Sequence, residues 1–374
     1  MFRPALCFLA GLFLASAVGA QVVINEIHYH PVELEAFNAN GTPVLDLTDD
    51  VHEFIELRNV GSGTVDLSGW ALTDGVDYTF PGGTSIAAGG FKVIARNVSR
   101  LQTVYGITGV SGPFAGKLSN SGDTVRLKDA SGVIIDAVSY SASFPWAQSA
   151  DGLGANTDFL GLSLTPYQYK GRSLQRVSPG ASSNDAANWL ASALSPGPTP
   201  GTANEVTRDT PKPVVVALSV FQDVDESTVI RATRGVRVNA TFSGTVALTA
   251  VELQWWVDNP EGFGEAVTTI QMQSTGNGQY TVLTPIPAQT DRSLVRYRIR
   301  ANRGEGVEVV SPRTDDPQLT PISATAREGW HAYFVQPIRP ANARVDYDFF
   351  ISAANIAVLD NHINQSPRRV LPGT

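Results

Sequence analysis

Short runs of alternating apolar and polar residues, broken by turn residues, make up most of the chain. Val22-Val23-Ile24-Asn25-Glu26-Ile27 is the first run, and Glu53-Phe54-Ile55-Glu56-Leu57-Arg58-Asn59 the second, turned by Gly61-Ser62-Gly63. Leu67-Ser68-Gly69-Trp70-Ala71-Leu72, Tyr78-Thr79-Phe80-Pro81 and Phe91-Lys92-Val93-Ile94-Ala95 follow, separated by Gly82-Gly83 and Ala88-Gly89-Gly90. Thr124 to Leu127 and Val133 to Tyr140 flank Asp129-Ala130-Ser131-Gly132, a hairpin turn. A period of two with such punctuation predicts an all-β sandwich over residues 21–140. Phe54, Leu57, Trp70 and Phe80 are its expected core. Trp70 is the expected anchor, since burying roughly 150–250 Å² at about 25 cal/mol per Å² stabilises a fold by several kcal/mol.

A second family of runs, Val214 to Val220, Gly235 to Phe242, Val251 to Val257, Gln279 to Leu283 and Ser293 to Ala301, predicts another sandwich over 213–337. Val295-Arg296-Tyr297-Arg298-Ile299-Arg300-Ala301 alternates as a half-buried strand should. Between the two lies a loop-rich extension, 141–212, with one strand expected at Gly171 to Val177 and a Pro/Gly linker at Ser195 to Gly201. Residues 31–50 read as a long polar insertion. Tyr347 to Ser352 and Ala353 to Leu359 read as a strand and a helix capped by Ser352, a short α/β fragment within 338–374. The expected fold class is thus two immunoglobulin-like sandwiches in tandem followed by that fragment.

Residues 1–20 read as a signal peptide, with Arg3, an apolar stretch Ala5 to Ala17, and Val18-Gly19-Ala20 before a cleavage between Ala20 and Gln21. The expectation is a secreted, periplasmic or cell-surface protein. The single cysteine, Cys7, falls inside that segment, so the mature chain holds no disulfide. No later segment is long and apolar enough to span a bilayer. Net charge is −8, with the acidic excess in 21–205, and no basic run exceeds Arg368-Arg369. Nucleic-acid binding needs a dense basic surface and is not expected.

Leu57-Arg58-Asn59, Gly69-Trp70, Tyr78-Thr79-Phe80-Pro81, Phe91 to Ile94 and the turn Asn120 to Asp123 stand in the order and spacing of the lamin tail domain, and residues 21–140 resemble that immunoglobulin-like family. The signal peptide, the missing coiled-coil rod and the insertion at 31–50 make the chain look like exported bacterial members rather than a nuclear lamin. Ser182 to Trp189 resembles the tail such proteins append. The 213–337 region is similar to fibronectin-III or immunoglobulin-like spacers. Residues 347–359 resemble the opening of the CotH kinase family, which implies a truncated or split reading frame, or a piece of a longer protein, without that family's catalytic residues.

Candidate chemistry is sparse. Asp46, Asp49 and Asp50 supply hard oxygens that suit Ca²⁺, or simply solvate a loop. Glu26, His28 and His30 alternate on one strand, with His52, Glu53 and Glu56 on a neighbour. Imidazole and carboxylate can ligate zinc, but the spacing fits no metal motif. Asp74, Asp77 and Asp123 sit at turns, and Asp136 is expected to be exposed. Trp255-Trp256 puts one ring on each face of a strand. Asn97-Val98-Ser99 and Asn239-Ala240-Thr241 are glycosylation sequons. No nucleophile elbow, phosphate loop or paired-carboxylate signature occurs. The expected function is non-catalytic: attachment to a surface, or binding of a protein or surface polysaccharide, without a cofactor. Two alternatives stand beside it, the N-terminal targeting part of a secreted CotH-type kinase and a calcium-stabilised adhesion module. Oligomeric state is not legible.

Overall fold

The computed structural model describes residues 21–31, 33–37, 43–46, 52–151, 171–193, 197–243, 248–261, 265–304, 307–313, 316, 330–339, 353 and 356, with backbone alone at 33–37, 43–46 and 307–309. In chain order the first strands are β1 (Val22–His28), β2 (Glu33–Phe37), β3 (Pro43–Asp46), β4 (Phe54–Asn59), β5 (Val65–Asp66), β6 (Ala71–Asp74), β7 (Val76–Thr79), β8 (Ser85–Ile86) and β9 (Phe91–Ala95). Helix α1 (Val98–Tyr105) follows, then β10 (Ala115–Gly116), β11 (Gly122–Lys128), β12 (Ile134–Ser141), β13 (Leu174–Arg176) and β14 (Trp189–Ala191).

Two five-stranded sheets result, ordered β14-β13-β1-β4-β9 and β10-β7-β6-β11-β12. Alternation explains how they pack. Ile55 and Leu57 of β4, Leu72 of β6, Val125 and Leu127 of β11 and Val138 of β12 are all buried in one continuous core. Phe80 is in that core as expected. Trp70 is only half-buried and packs on its edge, so the anchoring role falls to Trp189, fully buried and stacked 6.3 Å from Trp146. The expected insertion at 31–50 contains a β2–β3 hairpin. The Asn120–Asp123 turn depends on its glycine. Gly122 has φ +136, and a Cβ there would lie 2.7 Å from the Tyr140 carbonyl oxygen.

The largest departure from expectation is downstream of residue 140. The extension is not a loop between domains: β13 pairs with β1 and β14 with β13, so residues 174–191 complete the first sheet. Helix α1 was not expected either. Asn97 caps it, its Oδ1 accepting from the Arg100 N–H, and Gly106 in the left-handed region ends it.

The second unit contains β15 (Val215–Gln222), β16 (Val236–Phe242), β17 (Ala250–Asp258), β18 (Thr268–Gly276), β19 (Gln279–Val282), β20 (Leu294–Asn302), β21 (Val307–Ser311) and β22 (His331–Phe334). Their order is β15-β16-β19-β18-β17-β20-β21, with β22 also on β20. Strand β18 joins two halves: Thr268 to Gln271 pair with β17, and Met272 to Gly276 with β19. Inward residues of both halves, such as Val238, Leu253, Val282 and Ile299, share one core. The chain is therefore all-β over its described residues, as two sandwiches in tandem. The expected strand and helix at 347–359 lie outside the described residues, apart from Ala353 and Ile356, which are helical.

Candidate functional site

The polar groups of the first sandwich gather on the outer face of its first sheet. A bulge creates that arrangement. Ile24 pairs with Leu57 and Glu26 with Glu56, so Asn25 is the extra residue. The extra residue resets the alternation, keeping Ile24 and Ile27 in the core while Glu26 and Glu56 stand as cross-strand neighbours. Both carboxyls are completely buried. Glu26 accepts from the Ser173 hydroxyl, from Gln175 Nε2 at 3.2 Å and from the Thr199 N–H at 3.0 Å. Glu56 accepts from Asn25 Nδ2 at 2.8 Å and from the Gly201 N–H at 2.5 Å. Burial raises the proton affinity of both, and the Glu26 charge raises that of Glu56 further.

The expected Pro/Gly linker supplies the covering. Residues 197–204 lie along this face as a strap, and Asn204 secures its end. Asn204 Nδ2 donates to the Asn25 and Arg176 carbonyls, and its Oδ1 accepts from Asn25 Nδ2 at 3.0 Å. Helix α1 covers the other half of the face, where Leu101 packs with Phe54, Val93 and Ala95. Phe54 is thus buried as expected, but in this smaller cluster rather than between the sheets.

Asp136 corrects the expectation of exposure: it is 8% exposed. It sits where β12 meets β1, accepting from the Ile24 N–H at 2.8 Å, from the Ser183 hydroxyl, and from Arg176 at 2.8 Å. Arg176 spends its remaining donors on the carbonyls of Ile24, Ser178, Pro179 and Ala181 and on the Ser183 hydroxyl oxygen. A charge pair so fully hydrogen-bonded can survive burial, whereas either partner alone cannot.

Where β1 ends, His30 Nδ1 lies 2.5 Å from Asp151. It does not share a site with Glu26, because the strand stops at His28. Beside it the second unit reaches back to the first. Arg313 donates to the carbonyls of Pro145, Ala186 and Trp189, and Asp316 accepts from the Ser149 N–H and hydroxyl.

On the second sandwich, Trp255 packs toward the core and Trp256 lies on the other face, edge-on to Trp330 at 5.9 Å. Arg298 stacks over Trp330 at 4.2 Å, and its neighbours bond acidic residues: Arg296 to Asp258 at 2.7 Å and Arg300 to Glu252 at 3.5 Å. A cleft of about 200 Å³ opens among Ser219, Asn239, Thr241, Gln279, Tyr280 and Thr281. Its lining is uncharged and carries hydroxyl and amide groups, while the Tyr280 ring packs on the core against Phe242.

Among the other expected candidates, Asp46 ends β3 and only its backbone is described; Asp49 and Asp50 lie outside the described residues. Asp74 bonds Arg126 at 2.6 Å on the surface. No group of three or more His, Cys, Asp or Glu side chains able to hold a metal ion occurs among the described residues. No helix among them is long and apolar enough to cross a membrane. Sequence reasoning missed Ser173, Gln175, Arg176, Thr199 and Asn204, whose partners lie far away in the chain.

These features define a β-sandwich interaction module. Residues 15–142 match the Lamin Tail Domain, an immunoglobulin-like family, which agrees with the resemblance carried by residues 57–59, 69–70, 78–81 and 120–123. No curated protein matches the chain.

Proposed function

We propose that this chain is an exported, non-catalytic binding protein that attaches to a surface or holds a protein or polysaccharide ligand. The match of residues 15–142 to the Lamin Tail Domain carries this reading. The chemistry of the first sandwich agrees with it, since Glu26, Glu56 and Asp136 use their oxygens to hold chain segments together. The uncharged cleft on the second sandwich is the candidate contact for a neutral, hydroxyl-rich ligand. Pull-down and glycan-array binding by the full chain test the role. A ligand captured by the wild type and lost at least tenfold in Asn239→Arg, which fills the cleft, supports it; no ligand above background overturns it. Export is tested by N-terminal sequencing of the secreted product, which should begin at Gln21.

The resemblance of residues 347–359 to the CotH kinase opening supports a second reading, this chain as the N-terminal part of an exported kinase. In-frame sequence past codon 374 with kinase motifs would favour it, and an unrelated neighbour would remove it.

A further inference from the structure

We propose that the strap of residues 197–204 is a proton-dependent clasp, closed on the Glu26–Glu56 pair with uptake of a proton and loosened as pH rises.

The geometry is the basis. Two carboxyls stand side by side on β1 and β4, both without solvent exposure. The strap seals them with two backbone donors, the N–H groups of Thr199 and Gly201. Two adjacent buried carboxylates repel in a low dielectric, so the closed state favours one shared proton. When the strap lifts, water solvates both groups and each returns to ordinary carboxylate behaviour. Closing therefore takes up a proton between the normal carboxylate range and the raised range of the closed pair, and across that window the closed fraction falls with rising pH.

The surroundings do not cancel the repulsion. On β1 the next outward titratable group is His28, and on β4 it is Arg58, whose charge lowers the proton affinity of Glu56 only as the smallest of the acting effects. Arg58 is drawn instead over the Phe91 ring at 5.5 Å. Across β9 the partner of Glu56 is the apolar Val93. From β13 comes neutral Gln175, with neutral Ser173 just before it, while Arg176 is committed to Asp136. The strap itself offers only neutral groups at Thr199, Gly201 and Asn204. Asn204 does not titrate, so its bonds tether one end of the strap at any pH. The pH-sensitive end is 199–201.

Hydrogen exchange of the Thr199 and Gly201 amides in the full chain, with intrinsic rates divided out, reads the opening directly. Between pH 5 and 8 their protection should fall, by up to about tenfold per pH unit for one linked proton. Glu26→Gln keeps an acceptor for Ser173, Gln175 and Thr199 but removes the like charge, so its pH slope should shrink to what burial of Glu56 alone leaves, and the double variant Glu26→Gln/Glu56→Gln should be flat. If the double variant does not fold, a slope reduced in both Glu26→Gln and Glu56→Gln supplies the comparison. Wild-type protection that is independent of pH, a wild-type slope that persists in the double variant, or one undiminished in both single variants overturns the proposal.

Discussion

The two sandwiches are built from similar strands but keep their charges in different places. In the first, ionisable groups lie beneath a covering of chain: Glu26 and Glu56 under the strap, Asp136 and Arg176 between β12 and β13. In the second, charges pair across strands on the outer face, as Arg300–Glu252 and Arg296–Asp258 do, while the inward face is apolar and aromatic. The difference shows what completes each fold. The second closes by pairing neighbours along its sheet. The first needs a segment from far down the chain, 171–204, both as strands and as hydrogen-bond partners for its buried acids.

The sharpest break of this contrast is removal of Arg176. Arg176→Ala leaves Asp136 buried and uncompensated and should cost the first sandwich about 3–5 kcal/mol in denaturant unfolding. Replacing both Arg176 and Asp136 by apolar residues should recover part of that loss. Trp189→Ala empties a fully buried site, with an expected cost of about 3–5 kcal/mol. Trp70→Ala should cost clearly less, because that ring is half-exposed.

The pH response should separate the units by sign. Glu26 and Glu56 hold protons more tightly folded than unfolded, so the stability of the first sandwich is greatest below about pH 4.5 on this term and declines as pH rises toward their folded values. His331 in the second is buried against Tyr297 and pushed down to about 4. Its contribution is complete above pH 6.5 and is lost as pH falls toward 4, on the order of 3 kcal/mol. Calorimetry across pH 4 to 8 should show the two transitions moving in opposite directions, and His331→Gln should flatten the second. The smallest effect belongs to the surface. Arg234→Ala, which breaks an exposed pair with Asp225, should change stability by less than about 0.5 kcal/mol.

Strands with one apolar face were legible in the sequence: β9, β12, β16, β17 and β20 lie within a residue or two of the expected runs. Strand β18 was not, because Thr268 to Gly276 turns only Ile270 and Met272 inward and its other positions are polar. Helix α1 is too short for periodicity to show, and its one signal was the pairing of Asn97 with Gly106 as end caps. The candidate site was half-legible. Glu26 and Glu56 were noticed only within a His/carboxylate set whose spacing fits no metal motif, since alternation gives no warning of the bulge at Asn25 that sets them side by side. Asp136 was expected to be exposed, yet it stands on the inward face, opposite Leu127 and in alternation with Val138; the arginine that pairs its charge lies 40 positions along the chain. Thr199 and Asn204 sit in a stretch whose prolines and glycines signal a linker, and nothing local says what a linker will dock against.

Native-state hydrogen exchange of the full chain tests the role of the distant segment most directly. If residues 174–191 are part of the first sandwich, their amides should exchange only with global unfolding of β1 and β4, at the same free energy as Ile27 and Leu57. Exchange of β13 and β14 at a much lower free energy, with β1 and β4 still protected, would show that the sandwich stands without them.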